Sequence, residues 1–172
     1  MKTGVCMYRK TLFATLASLA LLASAAHADT VQMVRDGFRI CTSHAGKVYK
    51  AKDDLAQAGW ESQGISNDLR IFFAPGRAGV GAISAASYNN EACGFGVKDM
   101  SVANSTKLAE GIAKAIFGKS MKVAPASEIN DPGIKAAWMG MVGGKEAGIA
   151  VYKNVNYPNL YRGSMLMMVF RK

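Results

Sequence analysis

Histidine is nearly missing from this 172-residue chain, which has only His27 and His44. A histidine-based metal centre needs two or three imidazoles at short spacing, and a Ser-His-Asp triad would have to turn on His44. No Gly-x-Ser-x-Gly accompanies it, and its surroundings (His44, Lys47, Lys50) read as a solvated basic loop. Acids are also sparse, 12 Asp and Glu in all. Those that could form a pair for glycoside hydrolysis, such as Asp53, Asp54, Glu61 and Asp68, fit helix caps and solvent faces better. The glycine-rich stretch 75–81 lacks the Gly-Lys-Ser/Thr of a phosphate loop and lies between two predicted strands, so it reads as a hairpin connection. There is no Cys-x-x-Cys to suggest a redox pair. No run of four basic residues occurs, which argues against nucleic acid as a partner. The longest apolar stretch, 11–24, is shorter than the roughly 20 residues of a spanning helix, so no transmembrane anchor is expected.

That same stretch is the most informative segment present. Tyr8-Arg9-Lys10 forms a basic start, the apolar 11–24 follows, and Ala26-His27-Ala28 supplies small residues where a signal peptidase reads them. Residues 1–28 are therefore expected to be a secretory signal peptide cleaved after Ala28, with the mature chain periplasmic or secreted from Asp29. Met7 begins a complete n-region of its own. Residues 1–28 hold three of the 21 Lys and Arg (Lys2, Arg9, Lys10) and none of the acids. The remainder carries 18 basic against 12 acidic residues, a net +6. Such a charge favours anionic surfaces, acidic cell-wall polymers or an acidic protein partner.

With Cys6 inside the signal, Cys41 and Cys93 remain, and two thiols in an oxidising compartment are expected to pair as a disulfide. Periodicity predicts a helix over 30–43, with Val31, Val34, Phe38 and Cys41 on one face. A short helix follows over 54–58, capped by Asp53 and ended by Gly59 before Trp60. A polar loop is predicted over 61–68. Strands are predicted at 69–74, 80–88 and 92–98, with a turn at Asn89-Asn90. A helix over 105–117 carries Leu108, Ile112, Ala115 and Ile116 inward, and Asn104-Ser105-Thr106 reads as its cap rather than as a glycosylation sequon. A connector spans 120–133. Strands at 134–142, 147–153 and 164–170 complete the chain, the first two joined at Gly143-Gly144 and the last two by a longer link, 154–163. The predicted class is α+β: one domain over 29–172, an antiparallel sheet of about five to six strands, two to three helices packed on it, and one disulfide. A cysteine in the first helix, the turn Leu55-Ala56-Gln57-Ala58-Gly59-Trp60 and a second cysteine in a strand resemble small exported bacterial proteins, a resemblance that implies no activity.

Two features suggest binding. Tyr157, Tyr161 and Arg162 fall in the last link, and Tyr and Arg dominate interaction hot spots; His44 is a further candidate contact. Met139, Met141, Met165 and Met167 stand in pairs at strand spacing, so if those strands were neighbours four thioethers could converge, as Cu(I) prefers. Methionine filling an irregular core competes with that reading. The leading expectation is a non-enzymatic exported binding protein, without cofactor, that contacts an envelope protein through a sheet face or the 154–163 link. The alternatives are an envelope enzyme acting on an acidic polymer and a methionine-rich carrier of Cu(I) or a small ligand.

Overall fold

The computed structural model describes residues 29–66, 68–85, 91–157 and 160–171. The expected signal segment, the Asn89-Asn90 turn and Pro158-Asn159 lie outside them.

Helix α1 spans residues 29–43 and buries Val34, Phe38 and Cys41. Cys41 is bonded to Cys93 as expected. Helix α2, Ala51–Gln57, starts earlier than Asp53, which was expected to cap it. Packing sets its start: Ala51 and Leu55, four apart, are both buried, and Asp53 and Asp54 fall in the first turn, where negative charge suits the helix dipole. Gly59 then takes φ 89° and Trp60 donates to the Leu55 carbonyl, folding the indole back onto the core. Helix α3, Val102–Phe117, also begins before its expected start. Its cap is Ser101, whose hydroxyl accepts from the Asn104 amide, so the Asn104-Ser105-Thr106 triplet lies inside the helix.

The described residues form one antiparallel sheet of eight strands, not five to six: β1 Glu61–Ser66, β2 Leu69–Phe73, β3 Gly79–Ser84, β4 Glu91–Val97, β5 Lys122–Val123, β6 Ile134–Val142, β7 Lys145–Tyr157 and β8 Tyr161–Phe170. Their order is β1-β2-β3-β4-β8-β7-β6-β5. The two additional strands are the two edges. β1 leaves the side chains of residues 61–65 exposed and is held through backbone pairing with β2, so it has no apolar alternation to betray it. β5 is two residues long within the expected connector. The 154–163 link is also largely strand, since β7 runs on to Tyr157 and pairs there with Tyr161. Gly143 and Gly144 both take positive φ, as a two-residue hairpin requires.

β8 lies between β4 and β7, which accounts for its apolar residues on both faces. One face receives the helices. Leu166, Met168 and Phe170 of β8 join Ile149 and Val151 of β7, Phe95 of β4 and the apolar stripes of α1 and α3 in the main core. Gly140 of β6 lies against the Phe117 ring of α3, where a side chain could not fit. The outer face has a smaller core of its own. The β4–β8 ladder ends at Phe95↔Leu166. At this end the outer-face side chains of β8 lie over Gly94, inside the ladder, and Gly96, just past it, and Tyr161 and Met165 pack with Ile71 and Phe73 of β2 and Val80 and Ala82 of β3. Bare glycines on β4 provide the room. A bulge between Tyr152 and Val155, with Asn154 at φ 60°, breaks the regular β7–β8 ladder just before this end of the hairpin. Among the described residues no helix is long and apolar enough to cross a membrane.

Candidate functional site

The remaining outer face, over β6, β7 and the end of β8, is not covered by that second core. Strand alternation sends Trp138, Ala147, Ile149 and Val151 to the helix side, and leaves small residues on the other: Ala137 on β6, Gly148 and Ala150 on β7. A sheet face floored by a hydrogen and two methyls is shallow-walled only if nothing rises around it. Here Met139 and Met141 rise from β6, Met167 and Val169 from β8, and the segment from β5 through Pro125 and Ile129 forms a wall along the edge. The result is an open concavity of about 680 Å³.

The register orders its polar groups. One row runs Lys122, Met139, Gly148, Val169. Next to it lie Met141 and Glu146, with the Arg171 amide bonded to the Glu146 carbonyl and its guanidinium 3.5 Å from the Glu146 carboxylate. At the opposite end Ile134 pairs with Tyr152. Burial, and then the charge of nearby Asp131, push the Tyr152 phenol above its ordinary pKa. The groove therefore has a floor of small apolar residues, with Lys122 and the Glu146–Arg171 pair at one end and Tyr152, near the Asp131 carboxylate, at the other.

Of the residues singled out from sequence, three methionines meet here. Met139, Met141 and Met167 line the concavity, whereas Met165 is fully buried in the second core. β6 and β8 are not neighbours: β7 lies between them, so the condition for four converging thioethers is not met. Tyr161 is buried, donating to the Ser164 carbonyl at 2.5 Å, and burial together with Asp99 pushes its pKa up to about 12. Tyr157 is half-buried beside it, its pKa raised by burial, and Arg162 is exposed. His44 is elsewhere, its Nε2 2.8 Å from Asp54 Oδ2 between α1 and α2. Asp53 pairs with Lys52 at 2.6 Å. Among the described residues no group of three or more His, Cys, Asp and Glu side chains could hold a metal ion.

Sequence reasoning missed the groove's floor and its wall. The floor was readable in part as Gly148-Ile149-Ala150, small on one face and large on the other. The wall was not, because its apolar residues, Val123, Pro125 and Ile129, stand in an irregular segment without period. A second groove of about 740 Å³ runs between α1 and α3 over Ile112 and Ile116, bordered by Arg35 and by Arg39, which pairs with Asp36 at 2.8 Å. Comparison with protein-family models, with curated proteins and with solved structures gives no match.

Proposed function

We propose that this chain is an exported, non-enzymatic binding protein that holds an apolar group of its partner or ligand on the outer face of β6 to β8. One observation carries the reading: an open concavity on the outer face of the sheet, floored by small residues, at which exposed apolar side chains gather. Six large hydrophobic side chains are markedly exposed among the described residues, and two of them, Met141 and Val169, stand on the outer face in this one groove. Gathered exposed apolar surface marks a binding site, whereas scattered residues do not. The volume is within the roughly 300–1,000 Å³ of small-molecule sites. Methionine, long and unbranched, suits a wall that adapts to its occupant. Export is supported by the pattern of residues 1–28 and by the disulfide.

Titration with the neutral fluorescent probe N-phenylnaphthylamine tests this. Saturable enhancement is expected with the purified protein and not with Ala150→Glu or Met139→Glu, each of which places a charge on the groove. Both variants should keep the parent melting temperature, since neither site belongs to the buried core. A probe that does not bind, or binds all three proteins alike, would overturn the reading.

A further inference from the structure

We propose that the occupant of the β6–β8 groove is a single-chain amphiphile with an anionic head, a long-chain carboxylate, lying along β7 with its head group at Lys122. The inference rests on the binding role proposed above and adds the chemistry of the ligand. Three observations lead to it. The first is shape. From Glu146 to Tyr152 the floor runs about 20 Å at strand rise, and it is lined by methionine, alanine and glycine without a buried polar group that an apolar tail would strand. A narrow trough of this length suits one extended chain better than a compact ring system.

The second is charge. Lys122 stands on the outer face in register with Met139, and it has no ion-pair partner among the described residues. Arg171 at the same end is already engaged with Glu146. The site thus offers one uncommitted cation to the head, which matches the single charge of a carboxylate rather than the double charge of a phosphate monoester. The third is polarity along the groove. At the Lys122 end the Glu146 carboxylate is offset by Arg171, whereas Asp131 beside Tyr152 has no ion-pair partner among the described residues and repels an anion from the far end, so one orientation is favoured.

Displacement of N-phenylnaphthylamine by three sixteen-carbon probes, kept below their micelle concentrations, tests the proposal. Palmitate should displace the dye about tenfold more tightly than hexadecanol at low salt, and hexadecyltrimethylammonium should be weakest, as one partly exposed charge pair implies. Lys122→Glu should remove the advantage of palmitate over hexadecanol, read as the ratio of their displacement constants on the same variant. Equal displacement by palmitate and hexadecanol, or an undiminished preference in Lys122→Glu, would overturn the anionic head while leaving the binding role standing. A dye that binds but yields to none of the three would overturn the extended-chain ligand. Failure of the dye itself to bind would instead sink the role on which the inference rests.

Discussion

Tyr161 illustrates how a polar side chain comes to hold a core. Its ring fills the space above Gly96, and its hydroxyl satisfies the Ser164 carbonyl at 2.5 Å. Replacing it by phenylalanine keeps the ring but orphans a buried acceptor, so Tyr161→Phe should cost about 1–2 kcal/mol at neutral pH by denaturant titration. The same residue sets an alkaline limit. Burial chiefly, and Asp99 next, raise its pKa from 10.0 to about 12. As pH rises the unfolded chain gives up this proton first, so the contribution to stability is complete below about pH 10 and is lost progressively towards pH 12. Two units correspond to an effect on the order of 2–3 kcal/mol. Tyr152 and Tyr157 are shifted in the same direction and add to the slope. Equilibrium unfolding between pH 9 and about 12 should therefore show a steep decline that is visibly flatter in Tyr161→Phe, and equal slopes would refute the assignment. Gly96→Ala is the complementary probe: a methyl there would stand 2.5 Å from the Tyr161 hydroxyl and 2.7 Å from its Cζ, and the ring has no room to relax because it is packed against β2 and β3. A loss of roughly 2–4 kcal/mol, typical of overpacking that also breaks a buried hydrogen bond, is expected from thermal melting.

At the level of elements, the joint between α1 and β4 is covalent. Cys41 and Cys93 are 52 residues apart, and closing such a loop constrains the unfolded chain by about 4 kcal/mol in the chain-entropy model. Cys41→Ser and Cys93→Ser should therefore lower the melting temperature by similar large amounts under oxidising conditions and coincide with the reduced parent. A wide difference between the two variants would show that one cysteine matters for another reason. Helix α3 is held to β8 differently, through a buried hydroxyl pair. Ser105 Oγ lies 2.6 Å from Ser164 Oγ, and Ser164 also reaches the Met100 carbonyl at 3.2 Å. With one hydrogen to give, Ser164 donates to Met100 and accepts from Ser105. Elements of this kind differ in how far they can be read beforehand. The α1 stripe, Leu108 and Ile112 of α3, the cysteine pairing and the inner strands were legible because burial imposes a period on the residues that carry it, whereas Ala115, expected to face inward, is exposed, and the α3 stripe runs instead through Ala109, Ala113 and Phe117. β1 was not, because an edge strand exposed on both faces has no period, only backbone partners. The hairpin end of β7–β8 was mistaken for a link because Asn156, Pro158 and Asn159 look like turn residues, while Tyr157 and Tyr161 face each other as strand partners. The groove was legible only through its methionines and the small residues of β7; the wall that makes it a groove depends on tertiary placement alone.

For the whole molecule, one long sheet has to dispose of two faces and two edges. The helices cover one face, the β7–β8 hairpin end covers part of the other, and the uncovered part is the groove. The edges are managed by different means. β5 is too short to template another strand, at two residues. β1 has six, of which residues 61–65 are exposed, Ile65 at 60 %, and so presents the greater hazard. Its protection is an irregularity: pairing with β2 shifts between Ser62 and Gly64, leaving Gln63 as the extra residue, and Gly64 takes φ 108°. A bulge twists an edge away from the flat geometry that a second strand needs. Deleting Gln63 should restore a regular β1–β2 ladder without touching the core, so the melting temperature should change little. The same deletion should drive concentration-dependent self-association, seen by sedimentation velocity, and a second change, Ile65→Lys, should suppress it by charging the straightened edge. If the deletion variant sediments as the parent does at every concentration, the bulge is not what keeps this edge solitary, and protection would have to be sought in the charge of Glu61 and the brevity of the strand.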